Sequence, residues 1–275
     1  MSGAAARLLP DGRLHLHHGP IDLICQAWGD RQAIDQGYRN AVARFDGVLS
    51  ELVTELPALR SPNAALCGPV ATVMGLAVAP FRPQFITPMA AVAGAVAEAV
   101  LAVLVGDGIA RAYVNNGGDI ALYLTTDQRL TCAIAGADAQ VVVRAADPSR
   151  GIATSGWRGR SWSLGIADLV TVLAKTASMA DAAATMIANA VDLPDHPGIA
   201  RRAAADLQAD SDLGHRLVTV GVAGLTRGDV ARALNRGEAA ARACMTRGLI
   251  DSAALFLQSD RRILGAIALK EPAFA

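Results

Sequence analysis

A pair of adjacent glycines after an apolar run constrains the fold of this chain more than any other feature. The run at residues 112–114 leads into Asn115-Asn116-Gly117-Gly118-Asp119-Ile120. Because glycine adopts backbone angles closed to other residues, two neighbouring glycines allow a tight reversal between antiparallel strands. They also let a ligand approach the backbone N–H groups, with Asn116 and Asp119 as polar partners. The pattern therefore predicts a strand that ends either in a plain hairpin turn or in a binding loop.

The composition limits the classes of protein and of partner that this chain can represent. Its 275 residues are 52% hydrophobic but only 4% aromatic, so small side chains must fill much of the core. The 25 basic and 25 acidic residues balance, which gives no electrostatic reason to expect nucleic acid or an anionic membrane as a partner. We expect neither partner, and we expect closely packed helices rich in alanine.

The four cysteines and the N-terminal residues indicate in which cellular compartment the protein is expected. Cys25, Cys67, Cys132 and Cys244 are widely spaced and form no C-x-x-C pair, so reduced thiols are expected rather than a zinc knuckle or a disulfide framework. The N-terminal residues lack the long apolar stretch of a secretory signal. Residues 61–81 carry no charge, but their prolines favour a buried core segment over a membrane span. A cytoplasmic protein is the resulting expectation.

Helical and strand-like segments alternate along the whole chain. Helical spacing predicts helices over residues 32–59, 87–106 and 228–248, and a helical stretch after Gly198. Strand-like runs predict a hairpin at 14–27, a meander at 121–124, 130–134 and 141–144, strands at 151–156, 169–174 and 216–222, and a last hairpin at 253–258 and 263–269, with 259–261 at its turn. We therefore predict a single compact α+β domain over residues 1–275, with a mixed or antiparallel sheet packed against alanine-rich helices.

Three histidines lie close together near the start of the chain. In a strand, His15 and His17 would share one face and His18 would point to the other. A metal site built on them would need distant ligands, so exposed histidines at a strand end are the favoured interpretation.

Two further segments carry polar groups that suit a phosphate or a metal ion. Thr154-Ser155-Gly156 lies between two strand-like runs, where it either offers hydroxyl and N–H groups or forms an ordinary turn. In the alanine-rich segment 179–187, Asp181 and Thr185 are four residues apart and share one face of a helix. With a backbone carbonyl, waters and a substrate phosphate, their oxygens could complete a six-coordinate Mg²⁺ site. The alternative is an N-cap aspartate followed by an incidental threonine.

Taken in order, these segments resemble the ApbE family of FAD-dependent FMN transferases. The family's Asn-x-Gly-Gly-Asp-Ile motif is matched by residues 115–120, its Thr-Ser-Gly by 154–156 and its Ala-Asp-Ala-x-Ala-Thr by 180–185. The resemblance covers about residues 87–191 and implies an ApbE-like fold. It also implies that FAD or FMN is bound by Asn115, Asn116, Gly117, Gly118, Asp119, Thr154, Ser155 and Gly156. The implied Mg²⁺ ligands are Asp181 and Thr185, with a backbone carbonyl from residues 92–95.

Two parts of the family pattern are missing. Residues 157–180 contain no histidine, so the family's His-x-x-Asp-Pro-x-Thr-Gly segment is absent, and Ala93 replaces the family lysine. The nearby charged residues either substitute for these groups or are solvated charges: Arg158, Arg160, Asp168 and Lys175. The sequence assigns no catalytic residue.

Two functions remain open at this point. One is an Mg²⁺-dependent enzyme, transferase-like or pyrophosphate-cleaving, that acts on a flavin or a related nucleotide pyrophosphate. The other is a non-catalytic flavin-binding or assembly protein. Either would take a small nucleotide as its ligand, with a flavoprotein as the acceptor if transfer occurs. A weakly charged, alanine-rich surface is also compatible with a homodimer.

Overall fold

A computed structural model describes residues 3–134 and 139–267 of the protein. The strands are β1 (Ala5–Leu8), β2 (Leu14–His18), β3 (Ile21–Gly29), β4 (Ile109–Asn116), β5 (Asp119–Leu124), β6 (Arg129–Ala133), β7 (Gln140–Arg144), β8 (Gly151–Ser155), β9 (Leu169–Ala174), β10 (Ile199–Ala203), β11 (Leu217–Val222), β12 (Ser252–Leu257) and β13 (Asp260–Leu264). The helices are α1 (Arg31–Thr54), α2 (Leu56–Leu59), α3 (Pro69–Val78), α4 (Val92–Leu104), α5 (Ala177–Ala190), α6 (Ala204–Leu207) and α7 (Arg227–Thr246), with 3₁₀ turns at Ala79–Phe81 and Pro88–Ala91. The predicted α+β class is confirmed.

Nine of these strands form one antiparallel sheet. Their order is β1-β2-β3-β4-β5-β8-β9-β12-β13, and every neighbouring pair runs antiparallel. Strands β6 and β7 pair only with each other, as do β10 and β11. Antiparallel neighbours can be joined by short hairpins, which matches the glycine-rich turns of the sequence.

The two faces of the sheet carry separate cores. On one face, Val114, Ala121 and Val172 belong to the large core that also includes the buried sides of α1, α4, α5 and α7. On the other face, Leu122 and Leu124 belong to a smaller core that the β6–β7 ribbon covers. Since strand residues alternate between faces, this division fixes which side chains of β4 and β5 meet the helices.

Alanine allows α5 to lie in the middle of the large core. Ala180, Ala182, Ala183 and Ala184 are all fully buried, and the helix contacts α4, α7 and strands β8 and β9. Small side chains let helix and sheet backbones approach closely without voids. The prediction of close packing through small residues is therefore confirmed.

Side-chain caps fix where the long helices begin. Asp30 accepts hydrogen bonds from the N–H groups of Gln32 (2.8 Å) and Ala33 (3.1 Å) at the start of α1. Thr176 caps α5, and Thr226 with Asp229 forms a reciprocal capping box on α7. These contacts satisfy N–H groups that have no partner inside the helix. Asp181 is therefore not the N-cap of α5.

Two predicted helices have different boundaries in the structure. The helix predicted over residues 32–59 ends at Thr54, and Leu56–Leu59 forms a separate turn. The helix predicted from Thr87 begins as a 3₁₀ turn and becomes α-helical at Val92. The Thr87 hydroxyl donates to the Asp212 carboxylate rather than capping the turn.

The meander prediction is wrong at one junction. Strand β5 pairs with β8, while β6 and β7 turn away as a separate ribbon. Leu130 and Val143 of that ribbon pack in the same core as Leu122 and Leu124 of β5. Covering an apolar sheet face buries more hydrocarbon than adding a strand to an edge would, and alternation in the sequence does not distinguish the two arrangements.

Two predictions in the C-terminal part are also corrected. The segment after Gly198 is strand β10, which pairs with β11, and only Ala204–Leu207 is helical. The last hairpin turns at Gln258 and Ser259, so Asp260 and Arg261 already belong to β13. Residues 268 and 269, assigned to that hairpin from the sequence, lie outside the described residues. Across the described part of the chain, none of the helices is long and apolar enough to cross a membrane.

Candidate functional site

The glycine pair forms a two-residue turn between β4 and β5. Gly117 and Gly118 have φ angles of +66° and +117°, in the region that favours glycine. The Asn115 side-chain oxygen accepts a hydrogen bond from the Gly118 N–H at 2.8 Å. The predicted hairpin is confirmed, and the ligand-binding role of its turn stays a prediction.

The sheet separates the two asparagines of this motif. Asn115 pairs with Ile120 across the hairpin, and both line a cavity on the ribbon-covered face. Asn116 pairs with Asp119 on the face that meets the helices, and its Nδ2 donates to the Ala93 carbonyl at 3.1 Å. Asn116 and Asp119 are thus brought to one place, and Asn115 is not.

Asp119 is a buried carboxylate at the start of β5. One of its oxygens accepts a hydrogen bond from the Thr154 backbone N–H at 3.1 Å. Burial raises the pKa of this carboxyl to about 7, partly offset by that hydrogen bond. Near neutral pH the group is therefore poised between its neutral and charged forms.

Asp181 faces Asp119 from helix α5. Its carboxylate accepts a hydrogen bond at 3.0 Å from the N–H of Gly94, in the first turn of α4. Burial raises the pKa of Asp181 well above its usual range, and the nearby Asp119 carboxylate raises it further. The two motifs that lie far apart in the sequence therefore form one acidic site.

The described residues offer this acidic pair no cationic partner. Within residues 3–134 and 139–267, no arginine, lysine or histidine forms an ion pair with Asp119 or Asp181. The same residues contain no cluster of three or more His, Cys, Asp or Glu side chains placed to hold a metal ion. Glu98, also near Asp181, accepts a hydrogen bond from the Ser178 N–H at 2.6 Å. Any bound cation would therefore need ligands besides carboxylates.

Thr185 and the Ala93 carbonyl bring further oxygens to the neighbourhood of Asp181. Thr185 lies one turn after Asp181 on α5 and is partly exposed. The Ala93 carbonyl lies in the first turn of α4 and accepts a hydrogen bond from the Asn116 side chain. Carboxylate, hydroxyl and carbonyl oxygens are the donors that hard divalent cations prefer.

The Thr-Ser-Gly segment contributes mainly through its backbone. The Thr154 hydroxyl lies 3.1 Å from the Thr171 hydroxyl, on the side of the sheet away from Asp119. Alternation along β8 places Ser155 on the helix-facing side. At Gly156, a Cβ would lie 2.4 Å from the Asp168 carbonyl oxygen, so only glycine fits there. The segment thus supplies one N–H group to Asp119 and one hydroxyl on the same face.

The charged residues after this segment have different environments. Arg158 forms an ion pair with Asp168 at 2.7 Å, and Asp168 also accepts hydrogen bonds from the Trp157 ring and the Gln258 N–H. These contacts hold the loop to the end of β12. Lys175 is exposed. The Arg160 guanidinium lies 3.5 Å from the position that a Cβ at Gly117 would occupy, which places a positive charge beside the glycine turn.

The N-terminal histidines do not form a metal site among the described residues. His15 pairs with Asp22 at 3.2 Å and His17 is exposed. His18 is buried with its edge toward Phe45, so the expectation of an exposed side chain is wrong for this histidine. Leu16 and His18 share the core-facing side of β2, which explains the burial.

Sequence reasoning missed two partners in the site. The N–H of Gly94 donates a hydrogen bond to the Asp181 carboxylate, a contact that the sequence motifs do not predict. Thr171 was assigned only to a strand, yet its buried hydroxyl meets Thr154. The two contacts join residues 87 and 17 positions apart in the chain, and neither has a local pattern that would reveal it. The only signal for Gly94 was a glycine inside an otherwise good helical run.

The raised pKa of Asp119 predicts an unusual dependence of stability on pH. In the unfolded chain this carboxyl loses its proton near pH 4, while in the folded protein it keeps it until about pH 7. The folded state therefore binds more protons than the unfolded state between pH 4 and pH 7. The contribution of the Asp119 carboxyl to the free energy of unfolding falls as the pH rises through this range. Between pH 5 and pH 7, we expect the free energy of unfolding of Asp119→Asn to rise by about 2 kcal/mol relative to that of the unmodified protein.

Urea unfolding in EDTA at pH 5 and pH 7 measures this difference. An asparagine oxygen can still accept the Thr154 N–H, so the substitution removes the charge and keeps the hydrogen bond. Equal changes in stability with pH for both proteins would contradict the prediction.

The sequence of the chain is similar to those of several known proteins. The family model described as "AbpE bacteria" matches residues 6–268 of the chain. A UPF0280 protein of Methanothermobacter thermautotrophicus is 39% identical over 121 residues, which cover 42% of this chain and 46% of that protein. A UPF0280 protein of Methanothrix thermoacetophila is 40% identical over 110 residues, which cover 38% of this chain and 46% of that protein. A UPF0280 protein of Archaeoglobus fulgidus is 38% identical over 104 residues, which cover 38% of this chain and 44% of that protein. The chain thus spans about half the length of the curated relatives it matches.

Proposed function

The chain belongs to the bacterial AbpE family, an ApbE-like family, and from this membership we propose that it binds a flavin nucleotide, or a related nucleotide pyrophosphate, together with Mg²⁺. The observation that carries the proposal is the acidic pair Asp119 and Asp181, which has no cationic partner among the described residues. Neighbouring carboxylates in a partly desolvated site either keep a proton or bind a cation. A divalent cation would satisfy both groups at neutral pH.

The chemistry of the donor set favours Mg²⁺. This ion commonly takes one or two carboxylates from a protein and completes its octahedron with waters and substrate phosphates. Asp181, the Thr185 hydroxyl and the Ala93 carbonyl would hold it, while Asp119 would add negative charge nearby. When bound, Mg²⁺ would neutralise charge on the phosphates of the ligand and polarise their P–O bonds.

The glycine turn and Arg160 support a phosphate beside this ion. Gly117 and Gly118 present backbone without side chains, so a phosphate can approach closely. Arg160, next to Gly117, is exposed and supplies a positive charge at the same end of the hairpin. A pyrophosphate would bridge the turn and the metal, and the nucleotide would extend from there.

Binding without transfer is the second candidate function, and one observation favours it. The region between Gly156 and Ala180 has no histidine, and its Asp168 is engaged with Arg158, Trp157 and Gln258. These residues hold the loop in place and offer no free acid or base. A carrier that presents a flavin to another protein needs only the phosphate and metal contacts.

Calorimetric titration of FAD with Mg²⁺, and again with EDTA, tests the proposal. We expect micromolar binding with Mg²⁺ and its loss on chelation, because the ion links the acidic pair to the pyrophosphate. Chromatography of the FAD recovered after incubation then separates the two candidates, since an enzyme would release FMN and a carrier would return FAD intact. Absence of FAD binding under both conditions would overturn the flavin proposal.

A further inference from the structure

The cavity lined by Asn115 and Ile120 lies on the face of the sheet opposite the acidic pair, between β3, β4 and the β6–β7 ribbon. Its volume is about 580 Å³, within the range of pockets that bind small molecules. It is lined by Gln26, Trp28, Arg111, Tyr113, Asn115 and Ile120 of the sheet and by residues 129–133 of the ribbon. Asp119 and Asp181 are not among these residues. The cavity is therefore separate from the acidic site.

Aromatic and aliphatic side chains form one wall of this cavity. The rings of Trp28 and Tyr113 lie 6.0 Å apart between centroids, in a tilted contact. Ile120 and Leu130 extend the apolar surface. Planar rings bind such walls well, because aromatic side chains offer large, rigid contact areas.

Two arginines bring positive charge to the same cavity. The Arg111 guanidinium lies 4.4 Å from the centroid of the Trp28 ring, and its Nη1 donates to the Arg129 carbonyl at 3.0 Å. Its Nε is buried and has no hydrogen-bond partner. Arg129 is exposed at the rim. In the part of the chain that the structure describes, neither arginine is in an ion pair.

The other lining residues that the structure describes carry no negative charge. The described residues that line the cavity include no aspartate or glutamate. Burial raises the pKa of the Tyr113 hydroxyl and raises that of the Cys132 thiol to about 11, so both are neutral at physiological pH. Among the described residues, the cavity therefore combines an aromatic wall with two arginines that have no acidic partner.

We propose that this cavity binds a small aromatic acid, a planar ring that carries one carboxylate or phosphate. The ring would lie against Trp28 and Tyr113, and the anionic group would meet Arg111 and Arg129. An inorganic anion would leave the aromatic wall unused, and a neutral hydrocarbon would leave the two guanidinium groups unpaired. The site is independent of the acidic pair and the glycine turn, because Asp119, Asp181 and the two glycines do not line it.

Calorimetric titration of 2-naphthoate into the purified protein in EDTA tests this site. We expect saturable binding of 2-naphthoate and at least tenfold weaker binding of the uncharged 2-naphthalenemethanol, since a charge-assisted hydrogen bond is worth about that factor or more. A parallel titration of 2-naphthyl phosphate decides whether carboxylate or phosphate is preferred. Equal affinity for the neutral alcohol, or no 2-naphthoate binding up to millimolar concentration, would overturn the proposal.

Two arginines of the same ribbon provide a matched pair of variants. Arg129 lines the cavity, and Arg144 is its partner across the β6–β7 ladder, is exposed and does not line it. We expect Arg129→Gln to weaken 2-naphthoate binding about tenfold, with Arg144→Gln unchanged. Asp181→Asn should bind 2-naphthoate normally even if it fails to bind Mg²⁺, which separates this site from the acidic one. An Arg129→Gln variant that melts normally and binds 2-naphthoate like the unmodified protein would contradict the assignment.

Discussion

Replacing Asp181 by asparagine is expected to weaken Mg²⁺ binding about 100-fold. The substitution removes a full negative charge from the proposed ligand set, and charge count strongly tunes the affinity of divalent-cation sites. An asparagine side-chain oxygen can still accept the Gly94 N–H, so the contact between α4 and α5 is kept. Because the raised pKa of Asp181 marks its charge as unfavourable in the metal-free protein, the variant should fold at least as stably.

Titration with Mg²⁺ followed by calorimetry or thermal melting measures this loss. Asp46→Asn is the matched control, since Asp46 is exposed on α1, far from the site in sequence, and in the described structure makes no ion pair. Thr185→Val should also weaken binding, and Thr185→Ser should restore it by returning the hydroxyl. Unchanged Mg²⁺ affinity in Asp181→Asn would show that this carboxylate is not a ligand.

Replacing Gly94 by alanine is expected to destabilise the protein by about 3 kcal/mol, near the upper end of overpacking effects. A Cβ at this position would lie 2.3 Å from the Ala177 carbonyl oxygen and 2.6 Å from the Ser178 nitrogen. Both atoms belong to the backbone at the start of α5, so no side-chain rotation can relieve the clash. The first turns of α4 and α5 would have to separate, which would also disturb the Gly94 to Asp181 hydrogen bond.

Chemical denaturation of Gly94→Ala beside Gly47→Ala provides the comparison. Gly47 is exposed in the interior of α1, and a Cβ there meets no atom within 4 Å. Alanine forms helices more readily than glycine, so Gly47→Ala should increase the free energy of unfolding by about 0.5 to 1 kcal/mol. Similar gains at both positions would mean that α4 and α5 do not pack as closely as the structure indicates.

Local patterns in the sequence were sufficient for most of the secondary structure. The strands around the glycine pair, the alanine-rich helix at Asp181 and the long helix near the C-terminus all follow from spacing of apolar residues, turn residues and caps. The errors arose where one local pattern fits two structures. The segment after Gly198 could begin as a helix or as a strand, and its pairing with β11 decided between them.

The candidate site was predictable in its residue types and only partly in its arrangement. Asn116, Asp119 and Asp181 were identified from short motifs, and the fold brings them together. Asn115 and the Thr154 hydroxyl belong to the same motifs but lie on the other side of the sheet. A motif names neighbouring residues, whereas alternate strand residues point to opposite faces.

The sequence by itself determined the α+β class, the glycine hairpin, the helical spacing of Asp181 and Thr185 and the family resemblance, because each of these rests on residues close together in the chain. Only the tertiary structure decided that Asp119 and Asp181 share one acidic site, that Gly94 must lack a side chain and that Arg111, Trp28 and Arg129 meet in a cavity on the other face of the sheet. Those features depend on contacts between segments far apart in the chain. Such contacts arise when apolar surfaces are buried together, and no local pattern records which surfaces meet.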